Sequence, residues 1–163
     1  MGNIFVTSDT HFHHSNIIKY CNRPFVSSYE MDEELIKNWN SVVASSDKVY
    51  HLGDVYFPKY KNEGEMLFSR LNGTKVLILG NHDKGKDQNL LKYFSRIYVW
   101  RFLKEFGLLL THVPVHQDSI SSKLKYNVHG HTHDRGSPKG PYRSACVELN
   151  NYTPVPIEVF QSA

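Results

Sequence analysis

The chain has 163 residues, enough for one domain over 1–163 that buries about two-thirds of its unfolded surface. Hydrophobic residues at 40% and aromatics at 13% exclude a disordered chain, and no apolar run approaches the ~20 residues of a membrane span. The net charge of +3 favours phosphate-bearing partners but falls short of the basic stripe of a dedicated nucleic-acid binder.

No basic segment followed by an apolar one opens the sequence, which predicts a cytoplasmic protein without a leader. Cys21 and Cys146 match no zinc or redox spacing and are expected to be reduced structural thiols.

In chain order, residues 3–8 read as a buried strand that delivers Asp9 and His11, two apart and on one side if the chain stays extended. A polar and aromatic stretch follows, with a short helix from Asn16, and puts His13, His14 and Arg23 near that loop. Of these, Arg23 and His13 are the substrate-binding candidates. Ser27 and Glu30 fit a capping box ahead of an amphipathic helix carrying Met31, Leu35, Trp39, Val42 and Val43 at helical spacing.

A strand at 49–52 ends in Gly53-Asp54, where glycine permits a sharp turn. His51, inside that strand, reads as structural. Residues 56–62 form an irregular loop, and a helix at 63–71 stops at Asn72-Gly73. The apolar run 75–79 then delivers Gly80-Asn81-His82-Asp83, the stretch around which the chain is organised. Residues 80–87 nearly match a phosphate-cradling P-loop, but Asp87 stands where the magnesium-binding Ser or Thr belongs, and its carboxylate would repel phosphate.

A short helix at 87–94 is predicted with Leu90, Leu91 and Phe94 inward. Strands at 97–106 and 108–111 then form a hairpin about Gly107. The second of these releases His112, with His116 just beyond. The stretch 128–133 alternates, which places His129, His131 and His133 on one side if extended. Alternation over 144–149 and 155–160 predicts two antiparallel strands closing a second sheet.

Several strands thus end in a metal-type ligand, and Asp, Asn and His are the only types used. The set D-x-H (Asp9, His11), G-D (Asp54), G-N-H-D (Asn81, His82), a strand-terminal His112 and G-H-T-H (His131, His133) resembles the calcineurin-like metallophosphoesterase superfamily. Each piece alone is weak; all five, in family order and at compatible spacing, are specific.

The resemblance implies an α/β fold of two packed mixed β-sheets flanked by helices. It also implies two divalent metal ions, one held by Asp9, His11, Asp54 and His133 and the other by Asp54, Asn81, His112 and His131. A mixed oxygen and nitrogen shell without thiolate suits manganese, iron or zinc. The activity implied is phosphoester hydrolysis by attack of a metal-bound hydroxide, with His82 protonating the leaving oxygen.

One departure stands out. Family members often carry G-D-x-x-D, whose second Asp supports that histidine; here Phe57 occupies the place, leaving His82 to lean on Asp83 or on nothing. No insertion is large enough for a cap domain, so the site is expected to be open, favouring phosphodiesters or nucleotides over small monoesters. A metal-dependent nuclease and a non-catalytic module binding a phosphate ligand or partner are the rival classes. The nuclease should show a basic, aromatic-lined groove, which the dispersed Lys and Arg do not supply.

Overall fold

The structure is a computed structural model that describes residues 2–162. Its first sheet has the order β4-β3-β2-β1-β9, built from β1 (Ile4–Thr7), β2 (Lys48–His51), β3 (Thr74–Ile78), β4 (Phe94–Tyr98) and β9 (Val155–Pro156). β1 to β4 run parallel and β9 closes the edge antiparallel to β1. The second sheet has the order β5-β6-β7-β8, from β5 (Trp100–Leu103), β6 (Leu108–Thr111), β7 (Tyr126–His129) and β8 (Tyr142–Ser144). β5 and β6 are antiparallel, and β6, β7 and β8 are parallel. Two mixed sheets with helices outside, the expected α/β architecture, are therefore observed.

The two sheets pack face to face through Val6, Tyr50, Leu52, Val76 and Ile78 on one side and Leu103, Leu108, Leu110 and Val128 on the other. The helices α1 (Ser15–Tyr20), α2 (Ser28–Val42), α3 (Glu63–Phe68) and α4 (Gln88–Tyr93) all send their buried apolar side chains to the other face of the first sheet. In α2 these are Met31, Leu35 and Trp39, as its periodicity predicts, joined by Ile36; Val43, just past the helix, is buried as expected, while Val42 is exposed. Ser27 caps α2 by accepting from the Glu30 amide at 3.1 Å, but the Glu30 carboxylate accepts from Val26 N at 2.7 Å and not from Ser27 itself. Among the described residues no α-helix covers the outer face of the second sheet, which carries only a 3-10 turn at Gln117–Ser119 and its flanking loop.

Four local expectations are corrected. The run 97–106 is not one strand: it ends as β4 in the first sheet, turns at Val99 and restarts as β5 in the second. Apolar alternation fits either sheet, and only tertiary packing divides it. Leu91, expected inward, is 51% exposed because α4 is too short to turn more than Leu90 toward the sheet. Residues Val147–Leu149 are a 3-10 turn, so β8 closes the second sheet and does so in parallel. β9 has two residues, and it extends the first sheet, not the second. Asp87, the residue that argued against a P-loop, caps α4 by accepting from the Asn89 and Leu90 amides.

Candidate metal centre

β1, β2 and β3 run parallel and end at one edge of their sheet, so the loops after them deliver Asp9 and His11, Asp54, and Asn81 to one place. β6 and β7 end nearby and add His112, His131 and His133. The loops are locked together by backbone bonds: Asp9 N donates to Gly53 O at 3.0 Å, His11 N to Asp54 O at 3.1 Å and Gly130 N to His112 O at 2.8 Å.

The chain is not extended here, contrary to the simple reading of D-x-H and H-T-H. Asp9, His11, Asp54, His131 and His133 all have φ between 51° and 69°, in the left-handed region that non-glycine residues seldom occupy. Gly53, at φ 100°, also passes so close to Gly80 that a Cβ there would meet Gly80 backbone.

Two carboxylates organise the site, and each has one oxygen bonded to protein and one left free. Oδ2 of Asp9 accepts from Ser8 Oγ at 2.6 Å and His131 N at 2.9 Å. Its Oδ1 has no hydrogen-bond partner and faces His11 Nε2 at 3.7 Å and His133 Nε2 at 3.6 Å. Oδ1 of Asp54 accepts from His82 N at 2.9 Å, while its Oδ2 lies between His11 Nε2 at 3.6 Å and His112 Nε2 at 3.5 Å. Buried acceptors and ring nitrogens that face one another at these distances are what a cation between them would satisfy. Among the described residues three groups could each hold an ion: Asp9, His11 and His133; Asp54, His112 and His131; and Cys21, His133 and Glu148, which shares His133 with the first.

The histidine tautomers agree with that fit. His112 Nδ1 lies 2.7 Å from Leu52 O, which can only accept, so Nδ1 carries a proton and Nε2 is the nitrogen that faces Asp54 Oδ2 and could bind an ion there. His133 Nδ1 donates to Glu148 Oε1 at 2.9 Å, which leaves its Nε2 for Asp9. His11 Nδ1 lies 3.0 Å from His14 Nδ1; burial, together with the neighbouring histidines, pulls His14 down to about 4, so it is neutral and can accept. Asn81 Oδ1 sits 2.8 Å from His112 Nε2 and 3.0 Å from His131 Nδ1.

The electrostatics keep both carboxylates charged. Burial pushes Asp9 and Asp54 up, but the facing imidazoles, with the Ser8 hydroxyl on Asp9 and the His82 amide on Asp54, outweigh it, and both titrate below the ordinary Asp value. Without an ion both thiols stay protonated, because burial pushes Cys21 up to about 12 and raises Cys146 as well.

The two substrate-binding candidates lie elsewhere. Arg23 is buried beneath the loop: its Nη1 donates to Thr10 O at 2.9 Å, its Nη2 to Asp9 O at 2.7 Å, and it pairs with Glu148 at 2.6 Å. It holds the backbone of Asp9 and presents no face to solvent. His13 turns away to Asp32, with Nδ1 2.6 Å from the carboxylate. His116 is exposed and caps the 3-10 turn at Gln117–Ser119. His129 is buried, with its ring nitrogens on Gly130 O and Ser137 Oγ, and His51 is buried on Thr10 and Gly53, so both are structural.

His82 is exposed at the rim of a cavity of about 480 Å³ that it shares with His11, His14, Tyr20, Phe57, His133 and Arg135. Asp83 cannot support its ring, because the Asp83 carboxylate accepts from the amides of Asp54, Val55 and Gly80 at 2.8, 3.0 and 2.8 Å. Phe57 lies against the ring of His82 with centroids 5.1 Å apart and stacks on His11 and His14.

Sequence reasoning missed Glu148 and Arg135 altogether and placed His14 near the loop without assigning it a role. Glu148 lies fifteen residues beyond His133, and only the fold brings it to that ring.

Comparisons with known proteins agree with the fold and the site. The profile of the calcineurin-like phosphoesterase family matches residues 2–140. An uncharacterized protein of Methanocaldococcus jannaschii is 40% identical over 171 residues, covering 98% of this chain and 89% of that protein. The gene 66 protein of Mycobacterium phage L5 is 31% identical, covering 82% of this chain and 78% of its own. Among solved structures, a protein of unknown function from Aquifex aeolicus superposes with a TM-score of 0.77 at 27% identity, covering 95% of both chains. No helix among the described residues is long and apolar enough to cross a membrane. With the family profile matched over most of its length and candidate ligand groups for divalent metals at the strand ends, the chain belongs to the calcineurin-like phosphoesterases, a family of metal-dependent phosphoester hydrolases.

Proposed function

We propose that the chain is a phosphodiesterase with a dinuclear metal centre, one ion held by Asp9, His11, Asp54 and His133 and the other by Asp54, Asn81, His112 and His131. The observation that carries this reading is the position of Asp54 Oδ2, 3.6 Å from His11 Nε2 and 3.5 Å from His112 Nε2, where one oxygen can serve both groups. The all-oxygen and nitrogen donor set, with both thiols held protonated, favours manganese, iron or zinc. Two such ions would supply Lewis acidity, acidifying a water and neutralising the charge that grows on the phosphoryl oxygens.

The protein's own groups do the rest. Asp54 Oδ1 fixes the backbone of His82, so the imidazole stays at the cavity rim, where it donates a proton to the departing ester oxygen. Among the described residues no carboxylate hydrogen-bonds that ring, so the donation is unassisted and esters with acidic leaving groups gain most. Arg135, exposed in the same cavity, is the cation placed to meet the substrate in place of Arg23. Nucleotides carry such phosphodiesters, and nucleic-acid ends are the less favoured extension.

The test compares bis-p-nitrophenyl phosphate with p-nitrophenyl phosphate on the manganese-loaded protein, with Asp54→Asn as control. We expect faster turnover of the diester and a loss of about a thousandfold or more in the variant. Equal rates on both substrates remove the diester preference, and an active Asp54→Asn protein removes the shared-carboxylate centre.

A further inference from the structure

The bare outer face of the second sheet is not flat. β5, β6 and the loop after β6 enclose a cavity of about 670 Å³, within the range of small-molecule sites. Leu79, Val99, Trp100, Phe102, Leu109 and Leu124 form its walls, and no Asp, Glu, Lys or Arg side chain lines it. Val99 and Trp100 are 72% and 61% exposed, an apolar surface that a covering helix would otherwise have buried.

The wall formed by the loop after β6 is pinned in place. Buried Asn127 accepts from Val115 N at 3.0 Å and donates to Leu109 O and Thr111 Oγ1, and Tyr142 Oη donates to Val115 O at 2.8 Å.

The position of this cavity gives it meaning. Asn81 and His112, two of the groups proposed around one ion, also line it. His82 lies in the other cavity, with His11 and His133 from the other ion's group. A phosphoryl group bound at these residues would have an apolar cavity on one flank and the proposed proton donor on the other. We infer that the apolar cavity seats the ester arm that is retained through the reaction, and that it selects diesters in which this arm is an uncharged apolar or aromatic group. This rests on the phosphodiesterase reading and extends it to a substrate class. A charged arm would lose its hydration there without finding a partner.

The experiment is calorimetric titration of the manganese-loaded protein with diphenyl phosphate, dibutyl phosphate and dimethyl phosphate, which share one charge and differ in their arms. Binding is read directly, so no turnover is needed. Diphenyl phosphate is expected to bind at least about tenfold tighter than dimethyl phosphate. The dibutyl ester tells whether an aliphatic arm serves as well as a ring. Leu124→Lys and the exposed Trp100→Gln should each erase the preference while leaving dimethyl phosphate binding unchanged.

Equal affinities in the parent protein, or a preference that survives both substitutions, overturns the inference and leaves the phosphodiesterase reading standing. Failure of every diester to bind overturns both. If Trp100→Gln instead converts a dimer to a monomer in sedimentation and leaves the preference intact, the face is a contact between copies of the chain and the assignment is wrong.

Discussion

The two halves of the proposed centre are built differently. Around Asp9, the ring nitrogens that face away from the ion are held by dedicated side chains: His11 by His14, and His133 by Glu148, which is itself anchored by Arg23. Asp9 and His11 are buried, and Arg23 is fully enclosed. Around Asp54 the supports are thinner. His112 is fixed by a backbone carbonyl, but Asn81 is exposed and His131 is only partly covered, and these two contact each other and His112. One half is therefore formed before any ion arrives, and the other is completed by side chains that must be drawn in. Pre-organised sites bind more tightly because less ordering accompanies binding. The ion at Asp9 should accordingly survive dialysis that removes its neighbour.

The largest effect expected from disturbing this contrast is at Glu148. Glu148→Gln removes the charge opposite buried Arg23 and weakens the hold on His133. Breaking a buried pair in this way costs about 3 kcal/mol or more, and loss of a carboxylate behind a ligating histidine weakens metal binding by about 10- to 100-fold. Thermal unfolding and manganese titration should report both changes, with the loss confined to the tighter ion. If the weaker ion is lost instead, the contrast is drawn the wrong way round.

A second effect lies beneath the other half, where His51 accepts from Gly53 N at 3.1 Å. Burial pulls this histidine down from 6.5 to about 3, so it is neutral when folded and titrates normally when unfolded. The stability this gives is fully present above pH 6.5 and is lost as pH falls toward 3, because the unfolded chain takes up the proton first. Linkage puts the loss between pH 7 and pH 5 at about 2 kcal/mol. Urea unfolding at those two pH values should show it on top of the contributions of the other histidines held low by burial, and His51→Gln should reduce the dependence by about that amount. A variant as acid-sensitive as the parent would place the sensitivity elsewhere.

Asn81→Ala is the mildest change to the fold. The side chain is exposed, so unfolding should shift by less than about 0.5 kcal/mol, while manganese titration should show the weaker of the two binding events lost and the tighter one kept. Phe57→Asp sharpens the picture on the substrate side. A carboxylate beside His82 should raise turnover several-fold for esters with poor leaving groups and change little for p-nitrophenyl esters.

Much of this was legible in the chain because strand and ligand are adjacent in sequence. A buried apolar run followed within three residues by Asp, Asn or His places both the element and the donor, as at 4–11, 48–54 and 74–81. What was not legible depends on contacts between distant parts. The change of sheet at Val99 is set by packing, since apolar residues suit either sheet. Glu148 and Arg23 meet across 125 residues of chain, and nothing local in either marks it. Arg23 had the right charge and proximity for a substrate contact, but its five donors were needed more by the carbonyls of Asp9 and Thr10 and by Glu148 than by solvent. Two C-terminal stretches failed for a different reason: short alternation is equally compatible with a strand and with a 3-10 turn.

The left-handed backbone at Asp9, His11, Asp54, His131 and His133 also bears on which ligand alphabets this scaffold can accept. Asp, Asn and His are the side chains that visit that conformation several-fold more often than others. Glutamate holds divalent ions well elsewhere in proteins but is not among them. The absence of Glu from the proposed donor set is thus dictated by the peptide chain and not by the ions. A redesign of metal preference here has a narrow vocabulary: exchanges among Asp, Asn and His keep the loop geometry, whereas Asp9→Glu or Asp54→Glu would have to rebuild the turn before it could change the ion.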